Sequence, residues 1–204
     1  MIMLKKPLLY AATLLALTFA CVDSKHPLSE VEHSQPVEEL VGLWLNQAGP
    51  AVEYVHVGQA GGAFPAGLMR VIICRHEENS VLQRPGRLFM FATILNGEHF
   101  LNIAAIKEEN FECIEKKGWK AELIEGYLLA KYQLQGDELL VWPLNPDSKL
   151  ELIASGKIAG TVDKEKNVSL ITAPTAELIK LFTSAEGKEL FVKEPIRYKK
   201  VAGQ

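Results

Sequence analysis

The chain has 204 residues, with 22 Lys and Arg against 25 Asp and Glu, and a net charge of −3 at neutral pH. Its basic residues are scattered, which argues against a nucleic-acid partner, because phosphate binding needs clustered Lys and Arg. The length fits one domain with its own hydrophobic core.

The first 20 residues have the pattern of a secretory signal. Lys5 and Lys6 lead into a largely apolar run from Leu8 to Ala20. That run is shorter than the roughly 20 residues needed to cross a bilayer. A basic start, a short apolar segment and a small residue before the cut are typical of a signal peptide.

The five residues Leu17-Thr18-Phe19-Ala20-Cys21 resemble a bacterial lipobox, in which the signal is cut just before a cysteine that carries acyl chains such as palmitate. Leu17 lies four places before Cys21, whereas the common lipobox has it three places before. The resemblance implies removal of residues 1–20 and lipidation of Cys21. The alternative is ordinary cleavage near Ala20, which leaves Cys21 as a free thiol.

The residues after Cys21 bear on where the protein is anchored. In two-membrane bacteria an Asp directly after the cysteine tends to retain a lipoprotein at the inner membrane, and Val22 stands there. The resemblance thus implies an outer-membrane anchor with the domain facing the periplasm, if the source has two membranes. Residues 22–36 are polar and lack apolar periodicity, so we predict that 21–36 form the anchor and a flexible tether.

Residues 37–204 are predicted to form a single β-rich domain. Short apolar or alternating runs, separated by Gly, Pro, Asn and Asp, are typical of strands. We predict a mainly β fold, with α+β as the alternative: an antiparallel β-barrel or strongly curved sheet of 8–9 strands with one or two short capping helices. The predicted strands are 43–46, 52–57, 68–76, 87–95, 99–106, 125–134, 138–144, 168–172 and 190–199.

Local sequence signals predict two turns and two helices more closely. Asn96-Gly97 supplies the positive φ angles of a type I′ hairpin turn, and Gly136-Asp137 is a similar signal. The strands beside both turns are apolar on both faces, which predicts a core on one side and a helix or cavity on the other. Pro174 and Gly187 bound one predicted helix. A shorter helix is predicted over 146–156, with Leu150 and Ile153 inward.

Gly42-Leu43-Trp44, at the start of the first strand, resembles the Gly-x-Trp motif of the lipocalins. That resemblance implies an eight-stranded barrel in which Trp44 packs across one end and a late Arg covers its ring. Arg197 is the residue expected there, through a cation–π contact worth about 0.5–2 kcal/mol. The middle lipocalin motif, Thr-Asp-Tyr, is absent from this chain.

A barrel of this size holds either packed side chains or one small ligand. Aromatic residues in the predicted strands are candidates to line a site for an acyl chain or other apolar molecule, and the alternative is that they form a solid core. These candidates are Phe89, Phe91, Phe100, Tyr127, Tyr132 and Trp142.

The remaining cysteines and histidines give weaker indications of a functional site. Cys74 and Cys113 are either a disulfide formed in an oxidising periplasm or two buried free thiols. Cys74 and His76 share one face of a strand, as a nucleophile and its base would, but no third orienting group accompanies them. His56, His76 and His99 fall on different strands, so no metal site and no cofactor are expected.

Two functions remain open after the search for motifs, and neither is catalytic. In the first, a membrane-anchored lipoprotein binds an apolar small molecule or lipid inside the barrel. In the second, the core is solid and an exposed loop, around the glycine-rich residues 58–67, docks an envelope protein. An enzyme that uses Cys74 and His76 is the third and weakest interpretation, since no catalytic motif is present.

Overall fold

The structure is a computed structural model, and it describes residues 22–48, 51–77, 85–163, 165 and 168–201. The predicted signal peptide and Cys21 lie outside these residues. Within the described part of the chain, no helix has both the length and the apolar character needed to span a bilayer.

Eight antiparallel strands close into a barrel, which confirms the predicted fold class. Their order around the barrel is β1-β10-β7-β6-β5-β4-β3-β2, and β8 and β9 form a separate two-stranded ribbon. The strands are β1 (Gly42–Ala48), β2 (Ala51–Gln59), β3 (Met69–Glu77), β4 (Gly86–Leu95), β5 (Glu98–Ile106), β6 (Ile124–Gln135), β7 (Glu138–Pro143), β8 (Gly160–Asp163), β9 (Val168–Ile171) and β10 (Ile196–Lys200).

The described part of the chain also contains four α-helices outside the barrel: α1 (Glu108–Lys117), α2 (Pro146–Ala154), α3 (Thr175–Phe182) and α4 (Ala185–Lys188). The two predicted helices correspond to α2 and to α3 with α4. In α2 the buried residues are Lys149 and Leu152 rather than Leu150. α1 was not predicted, because only Phe111 and Ile114 on it are buried and the rest of its sequence is strongly charged.

Two predicted strands differ from the observed ones. The prediction over 168–172 corresponds to β9, which pairs with β8 outside the barrel. Of the prediction over 190–199, only the part from Ile196 onward joins the barrel, where β10 pairs with β7 and β1. The Asn96-Gly97 turn is confirmed, with φ of 50° and 80° at its two residues.

The strand pairings also set the width of the barrel. If paired residues are traced from strand to strand around the barrel, the path returns to β1 at a position twelve residues away from the residue where it began. Strand stagger, tilt and diameter are linked, so such a large stagger tilts the strands steeply and widens the barrel.

Alternating side chains divide the apolar residues into two cores. Inward-facing residues such as Trp44, Met90 and Leu101 form the barrel core. Outward-facing residues of β4, β5 and β6, such as Phe89 and Phe100, form a second core with α1, α3 and the ribbon. The prediction that strands apolar on both faces carry a core on one side and helices on the other is therefore correct.

Residues 22–36 were predicted to be a flexible tether, and the structure corrects this. Ser24, Leu28, Val31 and Ser34 are buried against the barrel. The Leu28 amide donates to Oδ1 of buried Asn102 at 2.7 Å. We call residues 22–34 the strap. Its few apolar side chains lie at irregular spacing, so their burial leaves no periodic signal in the sequence.

The strap requires a glycine beneath it. A Cβ added at Gly126 of β6 would overlap Val22 Cγ1 and would lie 2.5 Å from Ser24 O. Backbone atoms at such a contact cannot rotate away as a side chain can, so either the strap or β6 would have to move.

We therefore expect Gly126→Ala to lower the free energy of unfolding by about 1–3 kcal/mol, as overpacking typically does. Gly58→Ala is the matched control, because its Cβ would meet only His56 Cε1, at 3.8 Å. Urea denaturation followed by tryptophan fluorescence measures both. Equal stability of the two variants would contradict the packing of the strap on β6.

Candidate functional site: the barrel interior

The two ends of the barrel differ, and we name them by what covers them. The closed end carries the start of β1, the end of β10 and the β4–β5 and β6–β7 turns. The open end carries the end of β3, the starts of β2 and β4, and the places where the β5–β6 and β7–β10 connections leave and rejoin the barrel.

Trp44 seals the closed end. Its side chain is fully buried, and Nε1 donates to the carbonyl of Leu40, which lies in a 3-10 turn across that end, at 2.8 Å. Lys200 Nζ lies 5.1 Å from the centre of the Trp44 ring and donates to Glu39 O at 2.9 Å.

The prediction that Arg197 covers the Trp44 ring is wrong. The register pairs Trp44 with Lys200, and Arg197, three residues earlier on β10, has the opposite orientation. Arg197 NH1 instead lies 3.6 Å from Glu138 Oε2, and both side chains are largely exposed. The cation over the ring is thus present but comes from a lysine.

Inward-facing apolar side chains near the open end remain partly accessible to solvent. This partial exposure distinguishes the residues toward this end from those at the other. By contrast, Trp44, Met69 and Val57 at the closed end are at most 1% exposed. The partly buried residues are Val55, Ile73, Leu88, Ile103, Leu128 and Ile196.

A polar group interrupts this apolar wall. The Tyr198 hydroxyl donates to Glu53 Oε1 at 2.9 Å, and both residues are buried. Burial, and then the charge of Glu53, raises the pKa of Tyr198 far above its usual range. Asn46 and Arg75 flank Glu53 in the strand register. One rung of the barrel therefore places hydrogen-bonding groups beside an otherwise apolar space.

Tyr132 contributes a second polar group, farther toward the closed end. Its hydroxyl is buried and has no hydrogen-bond partner among the described residues. Burial, followed by the charge of Glu39, raises the pKa of Tyr132 to about 12. A buried polar group left without a partner costs about 1–3 kcal/mol. A ligand atom that accepts or donates a hydrogen bond here would recover that energy.

The six aromatic residues predicted to line the interior do not lie in one core. Tyr132 alone belongs to the barrel core. Phe89, Phe91, Phe100 and Tyr127 belong to the outer core, where Phe89 stacks on Phe111 of α1 at 5.1 Å. Trp142 is half-buried on the outward row of β7, next to inward Val141. The prediction was wrong for these five because aromatic content does not tell which face of a strand points inward.

The thiols and histidines do not converge. Cys74 is an exposed free thiol on the outer face of β3 and Cys113 is a half-buried free thiol on α1, so of the two alternatives the free thiols are observed, although neither is fully buried. His76 is also exposed, on the same outer face as Cys74. Among the described residues, no three His, Cys, Asp or Glu side chains are grouped as metal ligands.

The predicted docking loop is partly packed and partly exposed. Phe64, in the connection between β2 and β3, stacks on Phe89 with ring centres 5.5 Å apart. Leu68 is fully buried, and Gly67 lies against Ser34 of the strap. Gly61, Gly62 and Ala63 are exposed, so one part of the glycine-rich stretch packs on the outer core and another part lies at the surface.

Comparison of the chain with protein-family models, with curated proteins and with solved structures gives no match. Its geometry defines the class: a closed eight-stranded antiparallel β-barrel, consistent with a lipocalin-like barrel, with Trp44 buried across one end and half-buried inward-facing apolar residues toward the other.

Three buried tyrosines provide a test of the two cores, since Tyr132 and Tyr198 lie in the barrel core and Tyr127 in the outer core. Burial raises the pKa of both Tyr127 and Tyr132 to about 12, and that of Tyr198 further. Since the folded state holds these protons more tightly than the unfolded state, the free energy of unfolding should fall as the pH rises above about 10.

We expect phenolate absorbance from Tyr127 and Tyr132 only near pH 12, and from Tyr198 later still or on alkaline unfolding. Tyr198→Phe should remove one of the three late-titrating groups, whereas Tyr54→Phe, at an exposed outward position, should leave all three. If Tyr54→Phe instead removed one of the groups that titrate only at high pH, the described burial of the three tyrosines would be contradicted.

Proposed function

We propose that this protein is a membrane-anchored, periplasm-facing lipoprotein that binds an apolar small molecule or a lipid acyl chain inside its barrel, without catalysis. The observation that carries the proposal is the partly accessible apolar wall at the open end of the barrel. Apolar pockets with a few placed polar groups are the usual form of small-molecule sites.

The interior favours a ligand with a long apolar body and a small polar end. Each buried methylene contributes about 0.8 kcal/mol, so an acyl chain along the wall gains affinity with its length. The unpartnered Tyr132 hydroxyl supplies a hydrogen bond for a hydroxyl, carbonyl or ester oxygen. Glu53, hydrogen-bonded to Tyr198, adds a polar group beside the apolar residues toward the open end.

The anchor in this proposal rests on the lipobox resemblance at Leu17–Cys21. A single acyl chain binds a membrane only marginally, whereas several chains on one cysteine hold a protein firmly. The anchored barrel would therefore remain at the membrane at any salt concentration.

A second candidate function is docking of an envelope protein on the outer wall formed by β2 and β3. Tyr54 and Ile72, on outward rows of these neighbouring strands, are 42% and 37% exposed. Exposed apolar side chains on one sheet face mark contact surfaces when they are contiguous.

Ligand binding is tested with two variants on one strand. Val55 points into the barrel and Tyr54 points away from it. We expect Val55→Trp to lower binding of a neutral naphthylamine dye about tenfold or more, because the indole would fill the accessible space. Tyr54→Trp should bind the dye like the unaltered protein. The readout is the fluorescence increase of the dye in apolar surroundings.

Native mass spectrometry of the same proteins shows what the barrel carries from the cell. A bound mass that disappears on unfolding, and that is lost in Val55→Trp, would identify the ligand class. Equal dye binding in both variants, with no bound mass, would contradict the ligand proposal and favour docking on the outer wall.

Lipidation is tested separately by Cys21→Ser in the full chain. We expect the unaltered chain to lose residues 1–20, to gain the mass of its acyl chains and to incorporate an alkyne-labelled palmitate. Cys21→Ser should incorporate no label, while Cys113→Ser, at a half-buried helix position, should incorporate as much as the unaltered chain. Label retained in Cys21→Ser would contradict the anchor.

A further inference from the structure

The strap begins at the open end of the barrel and runs toward the closed end. Val22 lies over Gly126, near the start of β6. The chain then passes Tyr127 of β6, Asn102 of β5 and Thr93 of β4. It reaches the closed end at Leu40, just before β1. The first described residue is therefore beside the open end.

The beginning of the strap is held firmly. The amides of Asp23 and Ser24 both donate to Tyr127 O, at 2.9 and 3.0 Å. Asp23 Oδ1 accepts from Lys149 Nζ at 2.7 Å, and its Oδ2 accepts from the Leu129 amide at 3.1 Å. The side chains of Lys149 and Asp23 are only 6% and 13% exposed. Removing one partner of a buried ion pair is strongly destabilising, so Asp23 is a fixed point on the barrel.

This fixed point lies two residues after the proposed lipidation site. Consecutive Cα atoms are about 3.8 Å apart, so the Cα of Cys21 lies within about 8 Å of that of Asp23. A free tether over 22–36 would instead have let the domain move up to about 50 Å from its anchor. Docking of the strap removes nearly all of that freedom.

We propose that the strap holds the open end of the barrel against the bilayer, so that an acyl-chain lipid passes between the membrane and the barrel interior without crossing bulk water. The occupant of the open end is thus the surface of the membrane in which Cys21 is anchored. This inference rests on the proposed lipid binding and on lipidation of Cys21, and it adds the orientation of the barrel and the source of its ligand.

Orientation is measured on the full, acylated chain in phosphatidylcholine–phosphatidylglycerol vesicles that contain a nitroxide-labelled lipid. Cys74→Ser and Cys113→Ser remove the other thiols. A fluorophore is then attached through Glu194→Cys, an exposed position just before β10 at the open end, or through Gln135→Cys, an exposed position at the closed end. We expect the label at 194 to be quenched several-fold more than the label at 135. Equal quenching, or stronger quenching at 135, would overturn the proposal.

Insertion of twelve Gly and Ser residues between Cys21 and Val22 tests the role of the short connection. The strap contacts remain, so dye binding should be unchanged. Quenching at 194 should fall to the level at 135, and transfer of a fluorescent phospholipid from vesicles to the barrel should slow at least tenfold. Unchanged transfer would show that the short connection does not direct lipid entry.

The outcomes separate the two proposals. If no variant binds dye or phospholipid, the proposed function fails whatever the orientation. If dye binding is intact but the two labels are quenched equally, only the orientation fails. A chain that is not acylated and leaves the vesicles overturns the orientation, while its dye binding still decides whether the interior is a ligand site.

Discussion

The rest of the structure depends on burial of β4, β5 and β6 on both faces. Their inward side chains fill the barrel, and their outward side chains support α1, α3, the β8–β9 ribbon and the strap. Asn102 is the polar centre of this arrangement: it is fully buried, accepts from Leu28 N and donates to Thr93 Oγ1 at 2.8 Å. With this amide satisfied, the strap can lie on an otherwise apolar sheet without leaving a buried polar group unpaired.

Much of the fold was predictable, because local turn chemistry and strand patterns determine it. The Asn96-Gly97 hairpin, the run of antiparallel strands and the helix after Pro174 each carry a signal within a few residues. The two-sided apolar strands correctly indicated a covered outer face. By contrast, the strap and α1 are held mainly by tertiary contacts, and their own sequences are too polar to indicate burial.

The candidate site was less predictable, because it depends on the phase of each strand. Once Trp44 is known to point inward, the register carries that orientation from strand to strand: Trp44 pairs with Val55, and Val55 with Ile73. Starting from the Gly-x-Trp motif, this reasoning could have found Val55 and Glu53 as inward residues. Choosing aromatic residues instead selected mostly the outer core, where Phe89, Phe91 and Phe100 pack.

The pairing of β1 with β10 has a consequence for how the protein folds. Trp44 meets Lys200, so the first barrel strand finds its last neighbour only after nearly the whole chain is available. Until then one edge of β1 exposes unpaired backbone groups, a state prone to association with other chains. Ring closure is therefore a late, long-range step of its folding, and the unpaired edge of β1 stays exposed until that step is complete.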